Sequence, residues 1–306
     1  MDEHELIIIG GGPAGLTAGI YAARSGLRAI LLDKGVTGGM AATSPWIENY
    51  PGFKGISGLD LMDKMREQAE DNLDIRQGAD VSGVEESGGR FSVSVGEEIM
   101  ICQAIVFATG AIYRKLGIPG ESELTGRGVS YCATCDGTFF KGRRVYVIGG
   151  GNNGATEALH LKHMGADVTL IHRRDTLRAE KYLQDQMAEN GVELLMNSTV
   201  KRIVGDAKVE SIEVQNTGDG TTRQQDADGI FISIGEEPNT ALAKQLGVEL
   251  AYDGYIEVDR FMRTNIRKVY AAGDVTGGLR QVVTACAEGA IAAMSAYEDI
   301  KTPYWV

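Results

Sequence analysis

Apolar positions in this chain gather into short unbroken runs that alternate with helical patterns, and the alternation takes the same form twice. Residues 5–9 read as a buried strand, residues 13–25 as a helix with Pro13 in its first turn, and residues 29–33 as a second strand. Residues 144–148, 152–164 and 167–172 repeat that order. Each set predicts a βαβ unit. The repeat runs from Gly10 to Gly149, which is the scale of a domain and not of a solenoid. A weaker echo pairs residues 105–110 (IVFATG) with residues 230–235 (IFISIG), each a strand ending in a glycine turn. Late in the chain, residues 269–281 (VYAAGDVTGGLRQ) place Gly273-Asp274 after a strand, and an alanine-rich helix follows from about Val282 to Tyr297. The expected fold class is α/β, with two Rossmann-like dinucleotide-binding domains, the second inserted in the first. Residues 1–112 and 245–306 would form the outer domain and residues 113–244 the inserted one. Residues 113–117 and 240–245 are the expected hinge segments.

A chain of 306 residues is long enough for two such cores. Its formal net charge of −12 argues against nucleic acid or an anionic membrane as a main partner. Residues 6–23 carry no charge, but five glycines and Pro13 break them into a strand, a loop and a helix, so no membrane span is expected. Residues 2–5 are mostly acidic, unlike the start of a signal peptide, and a cytoplasmic protein is expected.

Glycine-rich signatures sit between strand and helix in both βαβ units. In Gly10-Gly11-Gly12-Pro13-Ala14-Gly15, Gly10 permits the tight turn, Gly12 the approach of a pyrophosphate, and Gly15 the packing of helix on strand. The second signature is Gly149-Gly150-Gly151-Asn152-Asn153-Gly154. Twenty-three residues beyond the first glycine lies Asp33 in one unit and His172 in the other, the latter followed by Arg173 and Arg174. An acid at that spacing accepts hydrogen bonds from a ribose, whereas a basic cluster that also includes Arg178 suits a 2′-phosphate. Gly154 leans the other way, since that position is often alanine in 2′-phosphate binders. The arginines outweigh it, so NADPH is preferred to NADH. His172 has a packing role as an alternative.

Four cysteines are too few for a disulfide framework in a chain of this length. Only Cys132 and Cys135 are close, in Cys132-Ala133-Thr134-Cys135, and such a pair reads as a redox couple. Half a zinc site is the competing reading, but no second paired motif supplies two further ligands. Asp136 follows directly. Ionised it would oppose a thiolate; protonated it could donate protons during exchange. Cys102, placed at a strand start, and Cys286, on the last helix, read as small core residues. His160 and His163 read as surface positions.

The ordered set of motifs resembles the low-molecular-weight, bacterial-type thioredoxin reductases over essentially the whole chain. It comprises GGGPAG, Gly38-Gly39-Met40, Ile47-Glu48-Asn49-Tyr50-Pro51-Gly52, Ala108-Thr109-Gly110, Cys132-Ala133-Thr134-Cys135-Asp136-Gly137, His172-Arg173-Arg174 with Arg178-Ala179-Glu180, and the late Gly-Asp-Val with Arg280-Gln281. The resemblance implies FAD in the outer domain, held by Gly10, Gly12, Pro13, Ala14, Gly15, Asp33, Lys34, Gly38, Gly39, Met40, Asn49, Val81, Ala108, Thr109, Gly110, Gly273, Asp274, Arg280, Gln281 and Val282. It implies NADPH in the inserted domain, held by Gly151, Asn152, Asn153, His172, Arg173, Arg174, Arg178 and Gly235. It further implies a homodimer, thioredoxin as partner, and domain rotation about the two crossings; from the missing second ligand pair, no metal is expected. Cys135 would face the flavin, Cys132 would attack the thioredoxin disulfide, and Asp136 would serve as acid. Three features depart from the pattern or stay open: Asn153-Gly154, the short segment 276–279, and the C-terminal Tyr304-Trp305 pair, for which packing is the default. A same-fold dithiol oxidase, or a reductase using ferredoxin or a deazaflavin, remains as an alternative that the three arginines disfavour. A nucleotide-sensing module would need neither Cys132 nor Cys135.

Overall fold

A computed structural model of the chain describes residues 3–44 and 46–302; the Tyr304-Trp305 pair lies outside them. The chain begins with β1 (Glu3–Ile9), α1 (Pro13–Arg24), β2 (Ala29–Asp33), α2 (Gly58–Glu70), β3 (Asp74–Gln77), β4 (Val81–Ser87), β5 (Arg90–Val95) and β6 (Glu98–Phe107). After β7 (Ala111–Tyr113) come β8 (Val129–Ser130), α3 (Ala133–Asp136), β9 (Arg144–Ile148), α4 (Asn152–His163), β10 (Asp167–Ile171), α5 (Lys181–Glu189) and β11 (Glu193–Leu195). A meander of β12 (Ser198–Gly205), β13 (Val209–Asn216) and β14 (Thr222–Asp226) precedes β15 (Gly229–Ile232). The chain ends with β16 (Glu236–Pro238), α6 (Ala241–Leu246), β17 (Val269–Ala271) and α7 (Val282–Lys301).

Two compact units result: Met1–Ile112 with Glu237–Val306, and Tyr113–Glu236. The second crossing therefore falls at Glu236–Glu237, ahead of the expected boundary at 244. Residues 240–245, expected as a hinge, instead lie largely in α6, whose buried Ala243 joins a core of the first unit together with Ile7, Phe91 and Val269. A helix anchored by its apolar face in a core is a poor place for a chain to flex.

In the first unit, β3-β2-β1-β6 run parallel, β17 adds parallel to β6, and β5 and β4 continue antiparallel. Strand β1 reads as continuous apolar sequence because both its faces are covered. Leu6 and Ile8 pack with α1, α2 and α7, whereas Ile7 and Ile9 pack with the β4–β5 side and α6. Helix α7 runs one turn beyond the expected Tyr297. It lies close against α1: a Cβ at Gly289 would collide with Ala14 O.

The second unit repeats the scheme with a parallel sheet β11-β10-β9-β15-β8. Val145 and Val147 of β9 face α4 residues Ala155 and Ala158, and Tyr146 and Ile148 face meander residues Val200, Ile212 and Val214. Among the described residues no helix is long and apolar enough to cross a membrane.

Candidate functional site

Both glycine signatures lie at the C-terminal end of a central strand and open a helix, as the βαβ reading requires. The three key glycines of each play separable parts. Gly10 (φ +107°) and Gly149 (φ +147°) occupy backbone conformations that L side chains rarely adopt, and a Cβ on either would strike a neighbouring carbonyl, Ala108 O or Ser233 O. Gly15 and Gly154 are fixed by helix-on-turn packing, since a Cβ there would meet Gly10 O or Gly149 O. The middle glycines differ. Among the described residues, a Cβ on Gly12 would have only Gly39 Cα near it, at 4.0 Å, and one on Gly151 nothing within 4 Å. Open space thus faces the first turns of α1 and α4, whose N-caps Gly12 and Gly151 supply no side-chain cap. Unpaired amides facing open space suit a pyrophosphate.

Around the first loop the structure gathers most of the expected flavin residues. Pro13 and Ala14 open α1. Asp33, at the end of β2, folds back over the loop. Its Oδ2 accepts from Gly11 N at 2.6 Å and its Oδ1 from Gly35 N at 2.7 Å, with exposed Lys34 alongside. Gly38 N donates to Gly11 O (2.7 Å), bringing Gly39 beside Gly12 and leaving Met40 exposed. Ala79 N donates to Asp33 O at 2.8 Å, and Val81 opens β4 two residues later. Ala108 backs Gly10, and Thr109 and Gly110 follow. Thr109 Oγ1 donates to Asn239 O at 2.6 Å.

The Gly273-Asp274 motif joins the same edge, because β17 pairs with β6 and β6 with β1. Gly273 (φ +81°) sits where its Cβ would come 2.8 Å from Ala14 Cβ. Its N–H donates to Glu288 Oε2 of α7 at 2.7 Å. Burial raises the Asp274 carboxyl above the usual range, with Arg280 pulling it back. Asn49 Nδ2 donates to Gln281 Oε1 at 3.0 Å across 232 residues of sequence, and Val282 begins α7. Arg280 Nη1 donates to the Tyr255 hydroxyl at 2.9 Å. Thr37, which the sequence did not single out, is buried beside Gly11 with its Oγ1 unpaired among the described residues. An orphaned hydroxyl in a phosphate loop fits a ligand there.

At the second loop, Arg178 N and Ala179 N both donate to Gly150 O, at 2.7 and 3.1 Å. Asn152 reinforces this clasp: its Oδ1 accepts from Glu180 N (2.8 Å) and its Nδ2 donates to Glu180 Oε1 (3.0 Å). Asn153 is exposed, as are Arg173, Arg174 and Arg178. Gly235 (φ +106°) accepts from Arg114 N at 3.0 Å just beyond β15. His172 is only 6% exposed, its ring lying where a Cβ of Gly150 would be. Burial lowers its imidazole pKa, and Arg178, Arg174 and Arg173 lower it further. A neutral, buried ring supports the loop, and the positive charge comes from the arginines. His163 is exposed, but His160 is half-buried with Nε2 unpaired among the described residues, contrary to its surface reading, because its face of α4 turns inward.

Cys132 and Cys135 form a disulfide with a Cα–Cα separation of 5.3 Å. Cys132 Sγ caps the single turn of α3 by accepting from Cys135 N at 3.2 Å. Ser130, not recognised from sequence, bridges the motif. Its hydroxyl accepts from Cys132 N (3.1 Å) and donates to Asp136 Oδ2 (2.6 Å). Asp136 Oδ1 is buried without a partner among the described residues, and burial raises the carboxyl pKa despite the Ser130 hydrogen bond. The acid is therefore biased towards its protonated form beside the two sulfurs. Cys102 is fully buried in the middle of β6, not at its start, and burial pushes its thiol up to about 12.

Two helix-opening glycine loops and a disulfide beside a carboxyl of raised pKa delimit what the chain can be, and comparison with known proteins narrows it. A family model described as pyridine nucleotide-disulphide oxidoreductase matches residues 4–289. A thioredoxin reductase of Listeria innocua is 42% identical over 301 residues, 97% of this chain and 94% of that protein. One from Bacillus subtilis is 41% identical over 295 residues, 95% and 93% of the two chains. The crystal structure of thioredoxin reductase from Streptococcus pyogenes is similar with a TM-score of 0.94 at 40% identity, covering 98% of this chain and 99% of that one. The chain belongs to the pyridine nucleotide-disulphide oxidoreductase family, on its thioredoxin reductase branch.

Proposed function

We propose that this protein is an NADPH- and FAD-dependent thioredoxin-disulfide reductase with Cys132 and Cys135 as its redox pair. The observation that carries the reading is the disulfide flanked by Ser130 and a carboxyl held towards its protonated form, in the same unit as the second glycine loop and its arginines. FAD would be held in the first unit by the Gly10–Gly15 loop, Asp33, the 38–40 turn, Asn49, Val81, residues 108–110, Asp274 and the 280–282 segment. NADPH would be held in the second unit by the first turn of α4, with Arg173, Arg174 and Arg178 on its 2′-phosphate. When bound, the two cofactors supply hydride and two-electron chemistry for reducing the Cys132–Cys135 disulfide.

The chain's own residues account for the exchange that follows. The Cys132 thiolate attacks one sulfur of the partner disulfide, giving a mixed disulfide and expelling a partner thiolate. The Cys135 thiolate then attacks Cys132 Sγ, reforming the internal bond and releasing the second partner thiolate. Asp136 supplies a proton to the dithiol and recovers it on reoxidation. Ser130 keeps that carboxyl within reach of the motif. The active molecule is a homodimer and works in the cytoplasm, in keeping with the family resemblance.

Anaerobic titration with NADPH, following flavin absorbance, tests the reading. Rapid bleaching that reverses on adding oxidised thioredoxin is expected. Absence of bleaching with NADPH, but bleaching with ferredoxin or a deazaflavin, would overturn the nucleotide assignment.

A further inference from the structure

The most fully satisfied buried charge in the second unit has no part in the chemistry described so far. Glu121 is 1% exposed. Its Oε2 accepts from Gly117 N at 2.7 Å and Ile118 N at 3.4 Å, and its Oε1 accepts from Leu116 N at 3.0 Å. Three consecutive amides thus converge on one carboxylate, and the left-handed Gly117 (φ +70°) curls the chain to allow it. The fourth donor comes from elsewhere: Tyr131 OH, at 2.8 Å from Oε1. Tyr131 directly precedes Cys132. Its ring also stacks on Tyr113, with centroids 5.2 Å apart and planes 15° from parallel. Tyr113 is where the chain enters this unit.

We propose that Glu121 is a positioning residue for the redox disulfide, fixing Cys132 through Tyr131 to the chain segment that enters the second unit. A buried carboxylate needs its full set of donors, so the segment 116–118 and the tyrosyl hydroxyl are held to one geometry together. Ser130, one residue earlier, adds bonds to Cys132 N and Asp136. The backbone leading into Cys132 is thereby anchored at two successive residues, by the hydroxyl of Ser130 and the phenol of Tyr131. Attack on a partner disulfide is sensitive to such placement: a displacement of about 1 Å can cost on the order of 100-fold in rate.

The proposal rests on Cys132 being the exchanging thiol, and the test separates the two. Tyr131→Phe removes one donor and leaves the three amides and the ring stack in place. Tyr146→Phe is the control, since Tyr146 is a buried tyrosine of the same unit whose hydroxyl is hydrogen-bonded to the Gln225 amide at 2.7 Å. For Tyr131→Phe, kcat with oxidised thioredoxin should fall about tenfold or more, with KM changed less than about threefold and flavin bleaching by NADPH unaltered. Tyr146→Phe should lose thermal stability without that fall in kcat. Equal falls in the two variants, or a Tyr131→Phe kcat within about twofold of the parent, would overturn the proposal. Should Tyr131→Phe not fold, Tyr113→Leu decides it: a selective loss of kcat supports the coupling and an unchanged kcat refutes it. Cys132→Ser, run in parallel, reports on the exchange role alone; turnover retained there would remove the underlying reading whatever Tyr131→Phe does.

Discussion

Ser130 donates a hydrogen bond to Asp136 at 2.6 Å while the second carboxyl oxygen of Asp136 is buried and, among the described residues, unpaired. The carboxyl holds its proton more tightly in the fold than its ordinary 3.8 implies, and burial is the main cause. The stability this confers is fully present below pH 3.8 and is lost as pH rises through the raised value. At neutral pH the ionised form is therefore a liability.

Asp136→Asn should remove that liability. Urea denaturation of the oxidised variant should show a gain over the parent at pH 7 that vanishes near pH 3.8. The same variant should turn over thioredoxin more slowly, by the 100- to 10,000-fold typical of a lost general acid, on the order of magnitude. Unchanged turnover would remove Asp136 from the proton path.

The arginines at the second loop carry the proposed choice of nucleotide. Arg173→Ala with Arg174→Ala should raise KM for NADPH far more than KM for NADH, because only the former has a 2′-phosphate to lose contact with. Each lost charge-assisted bond is worth about 1.5–3 kcal/mol, hence on the order of tenfold or more in KM per arginine. Equal effects on the two nucleotides would remove the phosphate clamp.

Gly154 tests the loop geometry independently of chemistry. A Cβ there collides with Gly149 O, so Gly154→Ala must displace backbone. Overpacking of this kind costs about 1–3 kcal/mol, read as a lower urea midpoint for the variant. Gly151→Ala meets nothing within 4 Å among the described residues and should be nearly neutral for stability. Its effect should instead appear in NADPH binding, measured by calorimetry.

Three of the four cysteines should separate by reactivity. Cys132 and Cys135 are disulfide-bonded and should alkylate only after reduction, whereas Cys102, fully buried and with its thiol pushed up to about 12, should alkylate only after denaturation. Mass spectrometry of iodoacetamide-treated protein, before and after NADPH, checks both.

What could be read in advance was whatever depends on spacing along the chain. The glycine loops, Asp33 and the Cys132–Cys135 pair announce themselves because helix-opening turns and small redox rings are local structures. Asn49 and Gln281 were legible only through family resemblance, since 232 residues separate two groups that share a hydrogen bond. Ser130, Glu121 and Thr37 were invisible. Their partners are backbone amides, a neighbouring carboxyl or open space, none of which leaves a pattern in residue types. The second crossing was misplaced because residues 237–244 carry no compositional break, and the packing of Leu242, Ala243 and Leu246 on its core assigns α6 to the first unit. The meander β12–β14 went unread for a similar reason: its alternation is irregular, with bulges after Val200 and Val204.

Because β17 and α7 complete the first unit from the far side of an inserted one, a ribosome releases the pieces in an order that matters. Once Glu236 has emerged, the inserted unit has every strand it needs, while the sheet around β6 still lacks a neighbour and α1 still lacks its cover. The nascent outer half must wait with an apolar flank bare until the last helix arrives, and that interval is when a chaperone would find its grip.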